Sequence, residues 1–250
     1  MDIAVVIPTL NEELNIRNTL KMMPDLVDEI IVVDSGSTDN TEAICLDMGV
    51  SFYYAEDIEP ELGHHLGKGE NLYKSQFVTD CDIICYLDAD LFTINPSYVE
   101  SLVRPLMLQP KTKFVKSYFD RSHTPYGGRV TALTAKPLLN IFYPELTEIH
   151  QPLSGQIATY KEVLQNLYYP VDYGVEISHL IDIYSAFGID AIEQVFLGKV
   201  THRNRNLGSL IPTAESVTNI IIDKAYRQGK LQNKFISDIV YRDPYITLDI

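Results

Sequence analysis

Apolar residues in the first third of the chain fall in short unbroken runs separated by polar turns, the pattern of strands covered on both faces. Asp2–Pro8 is one run, Glu29–Asp34 a second, Ser51–Ala55 a shorter third, and Asp82–Asp88 a fourth. Between them the period changes. From Glu12 onward Leu14, Ile16, Leu20 and Met23 roughly keep a helical stripe, with Asn11 as the expected N-cap. Thr38–Met48 reads as a second helix, with Asp39 and Glu42 as a capping-box variant. Strand and helix alternating at this spacing predict βαβ units and a parallel, twisted sheet. Ligands of such sheets bind outside the carboxyl ends of the strands. Those ends carry Pro8–Glu12, Asp34–Ser37 and Asp88–Asp90.

The second half is less regular. Lys113–Tyr118, Gly155–Tyr160 and Ala191–Leu197 read as strands, Arg129–Asn140 and Val175–Phe187 as helices, and Ile220–Ala225 as part of a helix in a C-terminal tail. There are no internal repeats and no low-complexity segments.

Composition narrows the class. A chain of 250 residues that is 46% hydrophobic can bury a substantial core. No apolar run approaches the roughly 20 residues of a spanning helix, so no membrane partner is expected. The N-terminal run lacks a basic stretch and a small-residue cleavage site, so a signal peptide is not expected. Cys45, Cys81 and Cys85 cannot all pair and fit no zinc spacing; reduced thiols in a cytoplasmic protein are the expectation. A formal net charge of −14 argues against a nucleic-acid partner. An acidic protein that binds a small anion must gather its few cations into a pocket or borrow a metal ion.

The chemistry-bearing residues sit at the predicted strand ends. Asp88-Ala89-Asp90 follows the run Ile83–Leu87. Two carboxylates so placed can divide work on one ligand, one accepting from a ribose hydroxyl and one holding Mg²⁺ or Mn²⁺ against a diphosphate. Alone, such a pair more often marks a solvated turn. It does not stand alone. Pro8-Thr9-Leu10-Asn11-Glu12 and Val33-Asp34-Ser35-Gly36-Ser37-Thr38-Asp39-Asn40-Thr41 precede it in order. Farther on, Gly67-Lys68-Gly69 opens a helix, where backbone N–H groups and a point charge could meet an anion.

The triple P-x-x-N-E, V-D-x-x-S-x-D-x-T and D-x-D resembles the nucleotide-binding half of family 2 glycosyltransferases with the GT-A fold. Six further blocks resemble the narrower glucosyl-3-phosphoglycerate synthase family from about Ile3 to Leu207. They are Gly67–Ser75, Phe114–Lys116, Gly127–Thr131, Gln151–Gly155, Tyr173–Ile177 and His202–Arg205. The resemblance implies an α/β fold with a Rossmann-like mixed sheet and helices on both faces, plus a smaller acceptor-binding half. It implies a nucleotide-sugar half at 1–110, an acceptor- and metal-completing half at 111–207, and a helical tail at 208–250. The implied activity is retaining transfer of glucose from a nucleoside diphosphate glucose, with UDP-glucose foremost, to 3-phosphoglycerate, by a homodimer.

Roles carry over residue by residue. Pro8, Thr9, Glu12, Ser35, Lys68, Asp88, Ala89 and Asp90 would bind the nucleotide, with Asp90 and His202 on the metal. Glu176 would contact the sugar hydroxyls, Lys68 would span sugar and phosphate, and the Leu153 carbonyl would lie beneath the sugar. Gly128, Arg129, Val130, Thr131 and Asn204 would bind the acceptor phosphate, where glycine admits the anion and arginine offers a bidentate fork. Lys116 and Arg121 are given no role by the resemblance, but as cations could add positive potential. Two positions depart from the family: Ala89 stands where serine is common, and Val200 where several members are basic. A mannosyl-3-phosphoglycerate synthase using GDP-mannose is the alternative enzyme. An inactive sugar-nucleotide-binding protein is the alternative outside catalysis.

Overall fold

The computed structural model describes residues 1–91, 93–120, 127–200, 207–232 and 240–242. Its strands are β1 (Ile3–Thr9), β2 (Glu29–Asp34), β3 (Ser51–Tyr54), β4 (Ile83–Tyr86), β5 (Phe114–Asp120), β6 (Ile157–Tyr160), β7 (Tyr169–Pro170), β8 (Ile192–Lys199) and β9 (Tyr241–Arg242). Its helices are α1 (Ile16–Lys21), α2 (Thr41–Asp47), α3 (Lys68–Ser75), α4 (Ser97–Leu108), α5 (Lys136–Phe142), α6 (Lys161–Leu164), α7 (Val175–Phe187) and α8 (Ile211–Arg227). Seven strands form one sheet in the order β3-β2-β1-β4-β6-β5-β8, and β7 pairs with β9 apart from it. Strands β1 to β4 run parallel; β6 is antiparallel to both neighbours, which makes the sheet mixed.

Alternate strand residues feed opposite faces, as the two-residue period requires. Ala4, Val6, Ile84 and Tyr86 face α3, α7 and α8, whereas Ile3, Val5, Ile7, Ile83 and Cys85 face α1, α2 and α4. Helices therefore cover both faces, and the near-continuous apolar strands are explained. The chain leaves β1 toward β2 and β3, then returns to place β4 on β1's other side. That reversal opens a crevice at the carboxyl ends of β1 and β4, where doubly wound sheets bind ligands.

Several local expectations are corrected. Asn11 is not a helix cap: it has φ of 56°, and α1 begins at Ile16 with Asn15 in the cap position. Its Oδ1 instead accepts from the Thr38 N–H at 2.9 Å, and its N–H donates to Ser37 Oγ at 2.7 Å, so it joins two strand-end loops. The second helix starts at Thr41, after Asp39 has accepted the Thr41 N–H at 3.0 Å. The expected Arg129–Asn140 helix contains a π turn at Thr131–Ala135 before α5. Pro137 has no N–H to continue the α ladder there, which loosens the turn before it. Helix α4 and the β7–β9 pair were not foreseen. No helix among the described residues is long and apolar enough to cross a membrane.

Candidate active site

The crevice is a cleft of about 700 Å³. Pro8, Thr9 and Glu12 line it from the β1 loop, Ser35 from the β2 loop, Asp88, Ala89 and Asp90 from β4, and Lys68 and Glu176 from the starts of α3 and α7. Nine residues predicted from sequence thus meet in one space.

The loops are held by a buried carboxylate. Asp34, wholly shielded from solvent, accepts from Thr9 Oγ1 at 2.7 Å, the Gly36 N–H at 2.8 Å, and Ser37 through its N–H at 2.5 Å and Oγ at 2.6 Å. A carboxylate so supplied is satisfied where it lies and shapes the turn. Asn71 of α3 ties helix to sheet: its Nδ2 donates to the Val33 carbonyl at 2.9 Å, and its Oδ1 accepts from Ser35 Oγ at 2.9 Å.

Lys68 is the centre of charge. Its Nζ donates to Asp88 Oδ1 and, at 2.6 Å, to Glu176 Oε1, while Glu176 is only 8% exposed. Burial alone would lower the ammonium's pKa, but Asp88 and then Glu176 outweigh it and raise it above the ordinary lysine range. One cation thus stands between two carboxylates from different strands and helices.

Glycines explain how α3 reaches the cleft, but not as expected. The Gly69 and Glu70 N–H groups donate to the Asp172 and Val171 carbonyls at 3.1 Å each, so they are taken by backbone and do not face an anion. A Cβ on Gly67 would lie 2.3 Å from the Val171 carbonyl oxygen, and one on Gly69 would lie 1.8 Å from that of Pro170. The glycines let α3 press onto the segment that leads to Glu176. Only the Lys68 side chain is left to carry the charge.

Lys116 lies beneath the cleft. It is fully buried in β5, with Nζ donating to the Ser154 carbonyl at 2.8 Å. Burial pushes its pKa down to about 7 against the pull of Glu176. It supports the cleft floor, where its charge is felt by Glu176, Lys68 and Asp88.

The remaining predicted residues lie outside the cleft wall. Leu153 and Val130 pack on the core, and Gly128, with φ of 76°, begins the helical segment that holds Arg129 and Thr131. His202, Asn204 and Arg121 lie outside the described residues. Asn71 and Gln156 were given no role from sequence; a polar residue just before the apolar strand Ile157–Tyr160 was the available signal for Gln156.

Sheet order, strand-end cleft and paired aspartates are those expected of a glycosyl transferase, and the comparisons with known proteins agree. The family model for glycosyl transferase family 2 matches residues 4–146. Glucosyl-3-phosphoglycerate synthase from Petrotoga mobilis is 42% identical over 243 residues, covering 92% of this chain and 75% of its own. The Mycobacterium tuberculosis enzyme of that name is 40% identical over 236 residues, covering 89% and 73%. Its crystal structure with Mn²⁺, UDP-glucose and phosphoglyceric acid superposes with a TM-score of 0.88 at 38% identity, over 98% of this chain and 90% of that one. A second, with Mg²⁺ and UDP, also gives a TM-score of 0.88 over 97% of this chain. The chain belongs to the glucosyl-3-phosphoglycerate synthase family, whose members are hexosyltransferases of the GT-A fold.

Proposed function

We propose that this protein transfers glucose from UDP-glucose to 3-phosphoglycerate with retention at the anomeric carbon. The observation that carries the reading is the Lys68–Asp88–Glu176 trio in a cleft at the carboxyl ends of β1 and β4. The M. tuberculosis relative, crystallised with UDP-glucose and phosphoglyceric acid, supports the choice of donor and acceptor. Residues 1–110 bind the nucleotide-sugar, 111–207 complete the acceptor and metal side, and 208–250 form the tail.

In this reading Asp88 holds the nucleoside, Glu176 orients the sugar hydroxyls, and Lys68 spans sugar and phosphate. The acceptor hydroxyl attacks the anomeric carbon on the face from which the diphosphate leaves. Its proton passes to a phosphate oxygen of the leaving group. The protein's share is positioning and electrostatic stabilisation. Gly128, Arg129 and Thr131, with Asn204, hold the acceptor phosphate.

A divalent cation fits the donor set. Asp90 offers a half-buried hard oxygen ligand in the cleft wall. No group of three or more His, Cys, Asp and Glu among the described residues could hold a metal. An incomplete protein shell is what a cation shared with a diphosphate requires, and His202 is the second protein ligand in this reading. Bound there, Mg²⁺ or Mn²⁺ would neutralise charge on the diphosphate.

The three buried free cysteines support a reducing, cytoplasmic setting, and family resemblance supports a homodimer, which sedimentation would check. The deciding experiment incubates the protein with UDP-glucose, GDP-glucose, ADP-glucose or GDP-mannose, each with 3-phosphoglycerate and Mg²⁺ or Mn²⁺. Mass spectrometry should find the glucosyl product, and excess EDTA should abolish it. A mannosyl product alone would favour the GDP-mannose enzyme, and UDP binding without turnover an inactive binding protein.

A further inference from the structure

Asp88 is gripped from behind as well as from the front. Gln156 Nε2 donates to Asp88 Oδ2 at 2.6 Å, while Lys68 takes Oδ1. Gln156 is 2% exposed, so this contact is made away from water. The amide has one sensible orientation, because its oxygen turned toward the carboxylate would set acceptor against acceptor. The far side agrees: Gln156 Oε1 accepts from Ser154 Oγ at 3.0 Å.

The chain of bonds continues inward. Having given its proton to Gln156, the Ser154 hydroxyl accepts from Ser117 Oγ at 2.5 Å. The Ser154 carbonyl is held by Lys116 Nζ. Between Ser154 and Gln156 lies Gly155, where a Cβ would sit 2.4 Å from Lys68 Nζ and 2.5 Å from Asp88 Oδ2. The lysine–aspartate pair therefore rests directly on this backbone. Each buried polar group has a partner and each points one way, which is how a buried network fixes a single geometry.

We propose that Gln156 is a positioning residue for the nucleotide-sugar site, acting through Asp88, with Ser154, Ser117 and Lys116 as its support. The proposal rests on the reading of the cleft as that site. Gln156 selects which carboxylate oxygen meets Lys68 and so sets how Asp88 faces the cleft. Its amide orients Asp88 and touches no substrate.

A double-mutant cycle tests this. Gln156→Leu, Asp88→Asn and the combined variant are measured for UDP binding by calorimetry, for kcat and KM with UDP-glucose, and for melting temperature. Gln156→Leu should weaken UDP binding and kcat/KM by about tenfold or more, yet by under about threefold once Asp88 is Asn, since the two act as one unit. Gln156→Met, equal in length and lacking the donor, replaces the leucine variant if that one does not fold, with the same expectation. Multiplicative effects, or wild-type UDP binding in the single variant, would overturn the proposal. UDP binding is read apart from turnover, so a wild type that binds UDP but makes no glucosyl product refutes the proposed reaction and leaves the cycle to decide the role of Gln156.

Discussion

Arg242 lies far from Lys68 in sequence but braces the helix that carries it, and its replacement by methionine should be costly. Glu70, two residues beyond Lys68, has a side chain with no solvent exposure. Arg242 donates to it through Nε at 2.9 Å and Nη2 at 2.6 Å, and reaches the Gly63 carbonyl at 3.1 Å and the Leu62 carbonyl. Arg242→Met would leave a buried carboxylate with, among the described residues, only the His65 N–H at 3.3 Å. Lys74, one turn along α3, cannot replace the guanidinium, because its Nζ is held by the Ile58 and Glu59 carbonyls. Breaking one side of a buried pair costs about 3–5 kcal/mol. For a chain of this size that is a fall in melting temperature of roughly 6–20 °C. Thermal melting followed by circular dichroism at neutral pH measures the deficit. Removing both charges in Glu70→Gln/Arg242→Met should recover most of the loss. A variant that melts within a degree or two of the wild type, or a double variant no more stable than the single one, would refute the reasoning.

Gly155→Ala should abolish turnover with little effect on secondary structure by circular dichroism, because the added methyl displaces Lys68 and Asp88; retained activity would show that the floor can yield. Lys116→Met should raise the melting temperature at pH 7 relative to the wild type. The wild-type ammonium is held down at about 7, so its burial penalty is full below that pH and fades as pH rises toward the unfolded lysine value. The advantage should therefore shrink between pH 7 and pH 10, and one that does not shrink would mean the gain is packing. Arg129→Ala should raise KM for 3-phosphoglycerate by about tenfold to a hundredfold while sparing UDP binding, as expected for loss of a charge-assisted contact; a KM within twofold of wild type would remove Arg129 from the acceptor site.

What the chain determined by itself was local. The strands β1, β2 and β4 were legible because a strand covered on both faces is apolar almost throughout, and such runs stop where the chain meets solvent. The strand-end motifs were legible for the same reason: Pro8–Glu12, Ser35 and Asp88–Asp90 lie where each run stops. Val175–Phe187 was read without error because apolar residues and Gly188 delimit it. Asn11 was misread because its loop bonds run to Ser37 and Thr38, residues that lie beside it only once β1 and β2 are paired. Lys116 showed in the sequence as a charge without depth; only the place of β5 between β6 and β8, inside the sheet, puts it in the interior. The glycines beside Lys68 suggested an anion cradle, and only packing against Val171 and Asp172 revealed that the Gly69 and Glu70 N–H groups were already engaged. Gln156 and Arg242 were silent for a common reason. Each acts on a carboxylate distant along the chain, Asp88 or Glu70, and periodicity or spacing carries no record of which residues a folded chain brings face to face.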